Sequence, residues 1–182
     1  GGGGRAGLVG GLLGPGHGAA GAGRLAGGAV DFGQLGREGA SALGILAEER
    51  GQNLTVAGAN GVRVSADRLV LREAVTNVVD NAIKYTPEGG RVQVGLQALD
   101  AQAAIRVTDS RIGISESDQQ HIFDRFWRAD KVRSRGVGGA GLGLSIARWI
   151  VDQHYGSIEV KSQPSQGSTL TVRLPLANVA AL

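Results

Sequence analysis

The chain has 182 residues, of which 42% are apolar, and this is enough for one hydrophobic core. Its net charge is +3, but no DNA- or RNA-binding motif accompanies the scattered arginines, so nucleic acid is not an expected partner. The absence of cysteine excludes disulfides and thiolate metal sites, and no apolar run approaches the ~20 residues that a membrane helix needs.

Glycine dominates the beginning of the chain. Residues 1–30 hold 14 of the 32 glycines. Each glycine costs a helix roughly 1 kcal/mol relative to alanine, so we expect no stable isolated helix there. We predict that residues 1–30 are a glycine-rich linker or the remnant of a preceding segment, and that residues 31–182 form the folded domain.

Residues 31–90 alternate between helix-like and strand-like patterns. Apolar residues recur at helical spacing from Phe32 until a charged turn with glycine at 49–51. Asp67 has the position of an N-cap for a longer helix, which the turn residues 86–90 end. The predicted elements, in chain order, are a helix at 32–50, strands at 54–57 and 62–64, and a helix at 67–85.

The second half of the chain favours strands, with one helix after a loop-rich section. The predicted elements are strands at 92–96 and 104–107, a helix at 143–154, and strands at 157–161 and 168–174. This order predicts an α/β fold, a two-layer sandwich in which helices cover one face of a mixed, mostly antiparallel sheet.

The long helix carries two stripes of different character. The apolar stripe, at positions i, i+4, i+7 and i+11, consists of Leu71, Val75, Val78 and Ala82. We expect it to pack on the sheet. The polar stripe consists of Glu73, Asn77, Asn81 and Lys84.

Two members of the polar stripe need a functional explanation. Asparagine is a poor helix former because its amide competes for backbone hydrogen bonds, yet Asn77 and Asn81 lie one turn apart in mid-helix. An amide oxygen can complete the shell of a Mg²⁺ that phosphates already hold, and Lys84 one turn later can reach a phosphate. Glu73, by contrast, is expected to be an ordinary solvated side chain.

The loop-rich section contains an aromatic and basic cluster. Its members are Phe123, Arg125, Phe126, Trp127, Arg128, Lys131, Arg133 and Arg135. A small core with solvated charges and a nucleic-acid patch are the simplest alternatives for it. We expect Phe123 and Phe126 to pack. The glycine-rich residues 129–140 have the composition of a flexible cover, and they lead into a helix whose N-terminal amides can hold phosphates.

Three segments in this order and spacing resemble the ATP-binding catalytic domain of sensor histidine kinases. The segments are residues 77–85, 109–114 and 139–144, and the resemblance extends over roughly residues 31–175. It implies the Bergerat fold, ATP and Mg²⁺ as ligands, and a protein histidine kinase activity. It also implies that residues 1–30 are a linker or the remnant of a dimerisation helix.

The resemblance assigns roles to the polar helix stripe and to the strand that ends at Asp109. Asn81 would be the metal ligand, Asn77 its helper and Lys84 a phosphate contact. Asp109 would accept from the amine of adenine, because a buried carboxylate needs a donor partner. The other implied nucleotide contacts are Tyr85, Gly113, Ile114, Arg128, Arg133, Gly139, Gly141, Leu142, Gly143, Leu144 and Thr169.

Asn77 also indicates the type of reaction. The ATP-hydrolysing gyrase and MutL relatives carry a glutamate four residues before the metal-binding asparagine, where it activates water. An amide at this position is not a general base, so the expected chemistry is phosphoryl transfer to another group.

Two residues depart from the family pattern. Arg111 replaces the first glycine of Asp-x-Gly-x-Gly, and Tyr155 replaces a glycine usual after the last helix. If residue 111 has a positive φ, Arg111 costs roughly 1–2 kcal/mol. The alternative function is therefore a degenerate nucleotide-binding or protein-interaction module; a serine kinase of the anti-sigma-factor type is disfavoured by the aromatic residues 123–127.

The sequence context of the three histidines indicates which partners the domain needs. His17, His121 and His154 do not lie in the family's phosphoacceptor context, so the acceptor histidine is expected on a separate dimerisation domain of the same kinase, with a response regulator downstream. We expect a cytoplasmic domain, whether or not the full-length protein carries a membrane anchor.

Overall fold

The structure is a computed structural model that describes residues 25, 27–58, 60–110, 113–127, 142–163 and 165–177. In chain order the elements are β1 (Ala29–Asp31), α1 (Phe32–Ala42), α2 (Gly44–Glu49), β2 (Asn53–Gly58), β3 (Arg63–Ser65), α3 (Arg68–Tyr85), β4 (Arg91–Leu99), β5 (Gln102–Asp109), α4 (Glu116–Gln119), α5 (Gly143–Gln153), β6 (Ser157–Ser162) and β7 (Ser168–Pro175).

The main sheet has five strands in the order β2-β4-β5-β7-β6. Strand β2 runs parallel to β4, and the other neighbours are antiparallel. Along β4, Val92 and Val94 are buried while Arg91 and Gln93 are exposed. This alternation shows that the helices cover one face of the sheet, so the predicted two-layer α/β sandwich is confirmed.

Helix α3 forms where the sequence predicts it. The Asp67 carboxylate accepts from the Val70 amide at 3.3 Å, which is the expected N-cap. Its apolar stripe is buried throughout. At the other end Gln52 Nε2 donates to the carbonyl groups of Ile83 and Thr86, both at 2.8 Å, so the orphan carbonyls of the last turn have partners.

The prediction of one helix at 32–50 is wrong, because the chain forms α1 and α2 with a break at Leu43. Leu43 has φ −108° and ψ 5°, outside the helical region, and Gly44 follows it. Glycine weakens a helix, and Ala40 and Ala47 are buried on the two sides of the break. The short strand β1, which pairs with β3, was also not predicted.

Asp31 joins these first elements. It caps α1 by accepting from the Gln34 amide at 3.2 Å, and its second oxygen accepts from the Gly61 amide at 3.2 Å. Burial alone would raise the pKa of Asp31, but these donors and the charge of Arg37 lower the pKa below its ordinary value.

The C-terminus of α5 closes with a left-handed residue. Tyr155 has φ 60° and is 89% exposed. Its amide donates to Asp152 O at 3.1 Å and the Gly156 amide donates to Val151 O at 3.0 Å, which is a Schellman motif. Glycine adopts this conformation without strain, which explains why a glycine is usual at the position of Tyr155.

No helix in the described part of the chain combines the length and apolar character needed to cross a membrane.

Candidate functional site

The polar stripe of α3 faces the beginning of α5. Asn77 and Asn81 are partly buried, whereas Glu73 is exposed as expected. A Cβ placed on Gly143 would lie 3.9 Å from the Cβ of Asn77, so the first residue of α5 packs directly beside this stripe. The amide side chains and the helix N-terminus therefore border the same space.

The N-terminus of α5 has the properties of an anion site. Among the described residues, no side chain caps the helix at Leu142. The Ser145 hydroxyl turns back and donates to Leu142 O at 2.8 Å, and Leu144 is buried and anchors the first turn. The first amides and the helix dipole are thus directed toward the space beside Asn77.

Lys84 has a partner that sequence analysis overlooked. Its Nζ lies 2.9 Å from Asp80 Oδ2, and both side chains are partly buried. The i, i+4 spacing of the two residues was the available signal. An ammonium has three N–H donors, so the ion pair leaves donors on Lys84 for a phosphate.

Asp109 lies at the end of β5 and is 4% exposed. It is in register with Ser168 of β7, so their side chains lie on the same face of the sheet, toward the helices. Gly167 has φ 79°, and a Cβ there would collide with the carbonyl oxygen of Asp109. Only glycine allows the β6–β7 turn to approach Asp109 this closely.

Thr169 lies on the open face of the sheet, and its expected place near the adenine stays a prediction. The Thr169 hydroxyl lies 3.3 Å from the hydroxyl of Thr108, its register partner. Thr108 is exposed between the buried residues Val107 and Asp109, so this pair lies on the open face of the sheet. The period of two along a strand places Thr169 on the face opposite to Asp109.

Ser168 is the residue that sequence analysis missed on the Asp109 side. It is 3% exposed, and its hydroxyl lies 2.8 Å from that of Ser162. The sequence could have indicated this, because Ser168 lies two, four and six residues before Leu170, Val172 and Leu174, which all face the core.

The loop after Asp109 is held against the end of β6. Gly113 has φ 107°, a conformation that favours glycine. Ile114 is buried, and its amide donates to Ser162 Oγ at 2.6 Å. Arg111 lies outside the described residues, so its expected strain stays a prediction.

The two phenylalanines of the aromatic cluster differ. Phe123 packs against the core, with the guanidinium of Arg148 5.6 Å from its ring centroid. Phe126 is 58% exposed, so the prediction that it packs is wrong. The helix α4 ends at Gln119, and Phe126 has φ 65°, which turns the chain at this residue.

Several other predicted site residues lie outside the described part of the chain. They are Arg128, Arg133, Gly139 and Gly141. The half-buried Tyr85 ends α3, next to Lys84.

His154 is structural, as predicted. Its Nδ1 donates to Ile150 O at 2.8 Å, and its Nε2 accepts from the Asp67 amide at 3.1 Å. His121 is exposed and lies 3.0 Å from Asp124 Oδ2. His17 lies outside the described residues.

The donor set suits Mg²⁺ only in company with phosphate. Among the described residues no group of three or more histidines or carboxylates is placed to hold a metal ion. Mg²⁺ commonly takes one or two protein ligands and completes its shell with phosphate oxygens and water. The carboxamide of Asn81 fits that single-ligand role.

Comparisons with known proteins agree with this geometry. Residues 66–178 match the family described as histidine kinase-, DNA gyrase B-, and HSP90-like ATPase. The sensor-like histidine kinase SenX3 of Mycolicibacterium smegmatis is 40% identical over 147 residues, which are 81% of this chain. This chain spans 38% of the length of that relative.

Solved structures give the same result for the fold. The mycobacterial sensor histidine kinase MprB matches with a TM-score of 0.70 and 29% identity, over 84% of this chain and 99% of that one. Full-length ShkA in complex with AMPPNP matches with a TM-score of 0.75 and 28% identity, over 85% of this chain and 32% of that one.

Proposed function

Because the chain belongs to the histidine kinase-, DNA gyrase B-, and HSP90-like ATPase family, we propose that it binds ATP with Mg²⁺ and transfers the γ-phosphoryl group to a histidine on a separate dimerisation domain. The relatives named above are sensor histidine kinases. The similar ShkA structure contains AMPPNP, an ATP analogue, which supports ATP as the ligand here.

The observation that carries this proposal is the contact between α3 and α5. The Cβ of Asn77 and the position of a Cβ on Gly143 are 3.9 Å apart. An amide-bearing helix face and a helix N-terminus that no described side chain caps therefore border one space. Amide oxygens suit a metal ion, and helix amides suit phosphate oxygens, so together they suit a magnesium triphosphate.

The base of the nucleotide would lie at Asp109. The carboxylate is buried, and its oxygens can accept a hydrogen bond from the amine of adenine. Gly113, with φ 107°, lets the backbone approach the base. Tyr85, Ile114, Leu142 and Leu144 would complete the contacts from the described elements.

Catalysis would consist mainly of positioning and charge stabilisation. Mg²⁺ would neutralise charge on the phosphate oxygens when bound. The N–H donors of α5 and Lys84 would orient the phosphates. Since Asn77 offers an amide where hydrolytic relatives have a carboxylate, water would not be activated and the γ-phosphoryl group would await another nucleophile.

The nucleophile and the later steps belong to partners. His154 holds two structural hydrogen bonds and is buried, so it is not a phosphoacceptor. We propose that a dimerisation domain of the same kinase supplies the acceptor and that a response regulator acts downstream. We propose a cytoplasmic location for the domain, because ATP would be available there.

Calorimetric titration with an ATP analogue, with and without Mg²⁺, tests the binding step. Saturable binding that requires Mg²⁺ is expected, and absence of binding would contradict the proposal. The purified chain should not phosphorylate itself, but acid-labile phosphate should appear on an added dimerisation domain. Acid-labile phosphate on His17, His121 or His154 would contradict the assignment of the acceptor.

A further inference from the structure

The hydroxyl of Ser162 lies at the centre of a hydrogen-bond network beside Asp109. It accepts from the Ile114 amide at 2.6 Å, donates to Gly167 O at 3.0 Å and lies 2.8 Å from the Ser168 hydroxyl. A serine hydroxyl has one proton and two lone pairs. These three contacts use all of them.

The network fixes the direction of each proton. A carbonyl oxygen only accepts, so the single proton of Ser162 points to Gly167 O, and Ser168 must donate to Ser162. The Ser168 oxygen is then left with lone pairs alone. Ser168 and Asp109 are register partners on one face of the sheet. At this point that face therefore presents two hydrogen-bond acceptors, the Ser168 oxygen and the Asp109 carboxylate.

We propose that Ser162 is a positioning residue that holds Ser168 as an acceptor and so strengthens the preference for adenine over a 6-oxopurine. This inference rests on the proposed binding of ATP with its base at Asp109. Adenine presents an amine donor at position 6, whereas hypoxanthine presents a carbonyl oxygen that an acceptor repels. A Ser168 hydroxyl released from Ser162 is able to turn its proton toward that carbonyl.

Gln119 supplies a contrast, because it supports the same loop without touching the Ser162 hydroxyl. Its Nε2 donates to Ile114 O at 2.8 Å and to Ser162 O at 3.0 Å. Loss of the Gln119 side chain removes support from the backbone of the loop, but the hydroxyl protons of Ser162 and Ser168 keep their directions. Gln119→Ala should therefore weaken binding of ATP and of inosine triphosphate by the same factor.

The test compares the dissociation constants of ATP and inosine triphosphate in matched variants. Ser162→Ala should lower the preference for ATP by about two- to tenfold, the effect of one misdirected hydrogen bond. Ser162→Thr keeps a hydroxyl and should keep the preference. Ser157→Ala, the same change at an exposed position of the same strand, should leave both constants unchanged.

A double variant shows whether Ser168 is the intermediary. Ser168→Ala should itself lower the preference for ATP, and adding Ser162→Ala should lower it no further. An unchanged preference in Ser168→Ala overturns the inference, even if Ser162→Ala fails to fold. An equal loss for both nucleotides in Ser162→Ala overturns it too, because a merely structural role acts in that way.

The wild-type titration separates the two proposals. If the wild-type chain binds neither nucleotide, the ATP-binding proposal is wrong and this inference falls with it. If the wild-type chain binds ATP but the Ser162 and Ser168 variants keep its preference, only this inference is wrong.

Discussion

The two ends of α5 differ in how their backbone groups without a partner inside the helix are satisfied. At its C-terminus the amides of Tyr155 and Gly156 satisfy carbonyl groups of the last turn, and His154 bonds to Ile150 O. At its N-terminus, beside Asn77, no side chain among the described residues caps the helix. Described residues of the protein close one end, whereas at the other end no described side chain accepts from the first amides.

This difference separates stability from binding. Groups that the protein satisfies contribute to the folded state, so changes at the C-terminal end should alter the free energy of unfolding. Donors left open contribute only when an anion arrives, so changes around the N-terminal end should alter nucleotide affinity. Variants at the two ends of α5 should therefore separate effects on nucleotide affinity from effects on the free energy of unfolding.

The largest effect is expected from Asn81→Ala, on the stripe that borders the N-terminus of α5. It should abolish Mg²⁺-dependent ATP binding, because it removes the proposed metal ligand. The thermal unfolding midpoint should stay the same, since the partly buried side chain leaves no core cavity. Calorimetric titration and a thermal melt check the two parts.

Glu73→Ala is the matched control for Asn81→Ala. Glu73 lies on the same stripe of α3 but is exposed, so its loss should leave both affinity and stability unchanged. Retained Mg²⁺-dependent affinity in Asn81→Ala would show that the metal ligand has been assigned wrongly.

At the C-terminal end, His154→Ala should destabilise the fold by about 2–4 kcal/mol, because two buried hydrogen bonds lose their partner and a cavity forms. Chemical denaturation measures this change. His121→Ala, at an exposed histidine, should have no measurable effect. A large loss of ATP affinity in folded His154→Ala would mean that the two ends of α5 are not independent.

Arg111→Gly extends the comparison to the loop that follows Asp109. If Arg111 strains the loop after Asp109, its replacement should tighten ATP binding by about tenfold, corresponding to the 1–2 kcal/mol of a left-handed residue. Arg111→Ala removes the same charge but keeps a Cβ, so it should not tighten binding. Unchanged or weaker affinity in Arg111→Gly would remove the main argument for a degenerate module.

The smallest effect is expected from Tyr155→Gly. The residue has φ 60°, so glycine should stabilise the fold by about 1 kcal/mol without changing ATP affinity. Tyr155→Ala keeps the strained conformation and should gain little, which separates backbone strain from loss of the exposed ring. No gain in Tyr155→Gly would mean that the Schellman turn carries no strain.

Strand register and backbone conformation decide which face a side chain occupies, and neither can be read from neighbouring residue types. Thr169 and Ser168 are both hydroxyl residues after a glycine, and only the register of β7 against β5 shows that Ser168 shares a face with Asp109. Phe126 has helical spacing from Phe123, but a positive φ ends that periodicity. Local chemistry alone does not distinguish such neighbours.

The sequence by itself determined the elements with strong periodicity and the motifs with unusual chemistry. The capped, two-striped helix α3 and the acid that ends β5 were predicted because period, caps and an out-of-place asparagine pair are local properties. Only the tertiary structure decided the break at Leu43 and the Ser162 network. These depend on long-range packing and strand register, because contacts between distant residues fix which face each side chain occupies and which donor each acceptor meets.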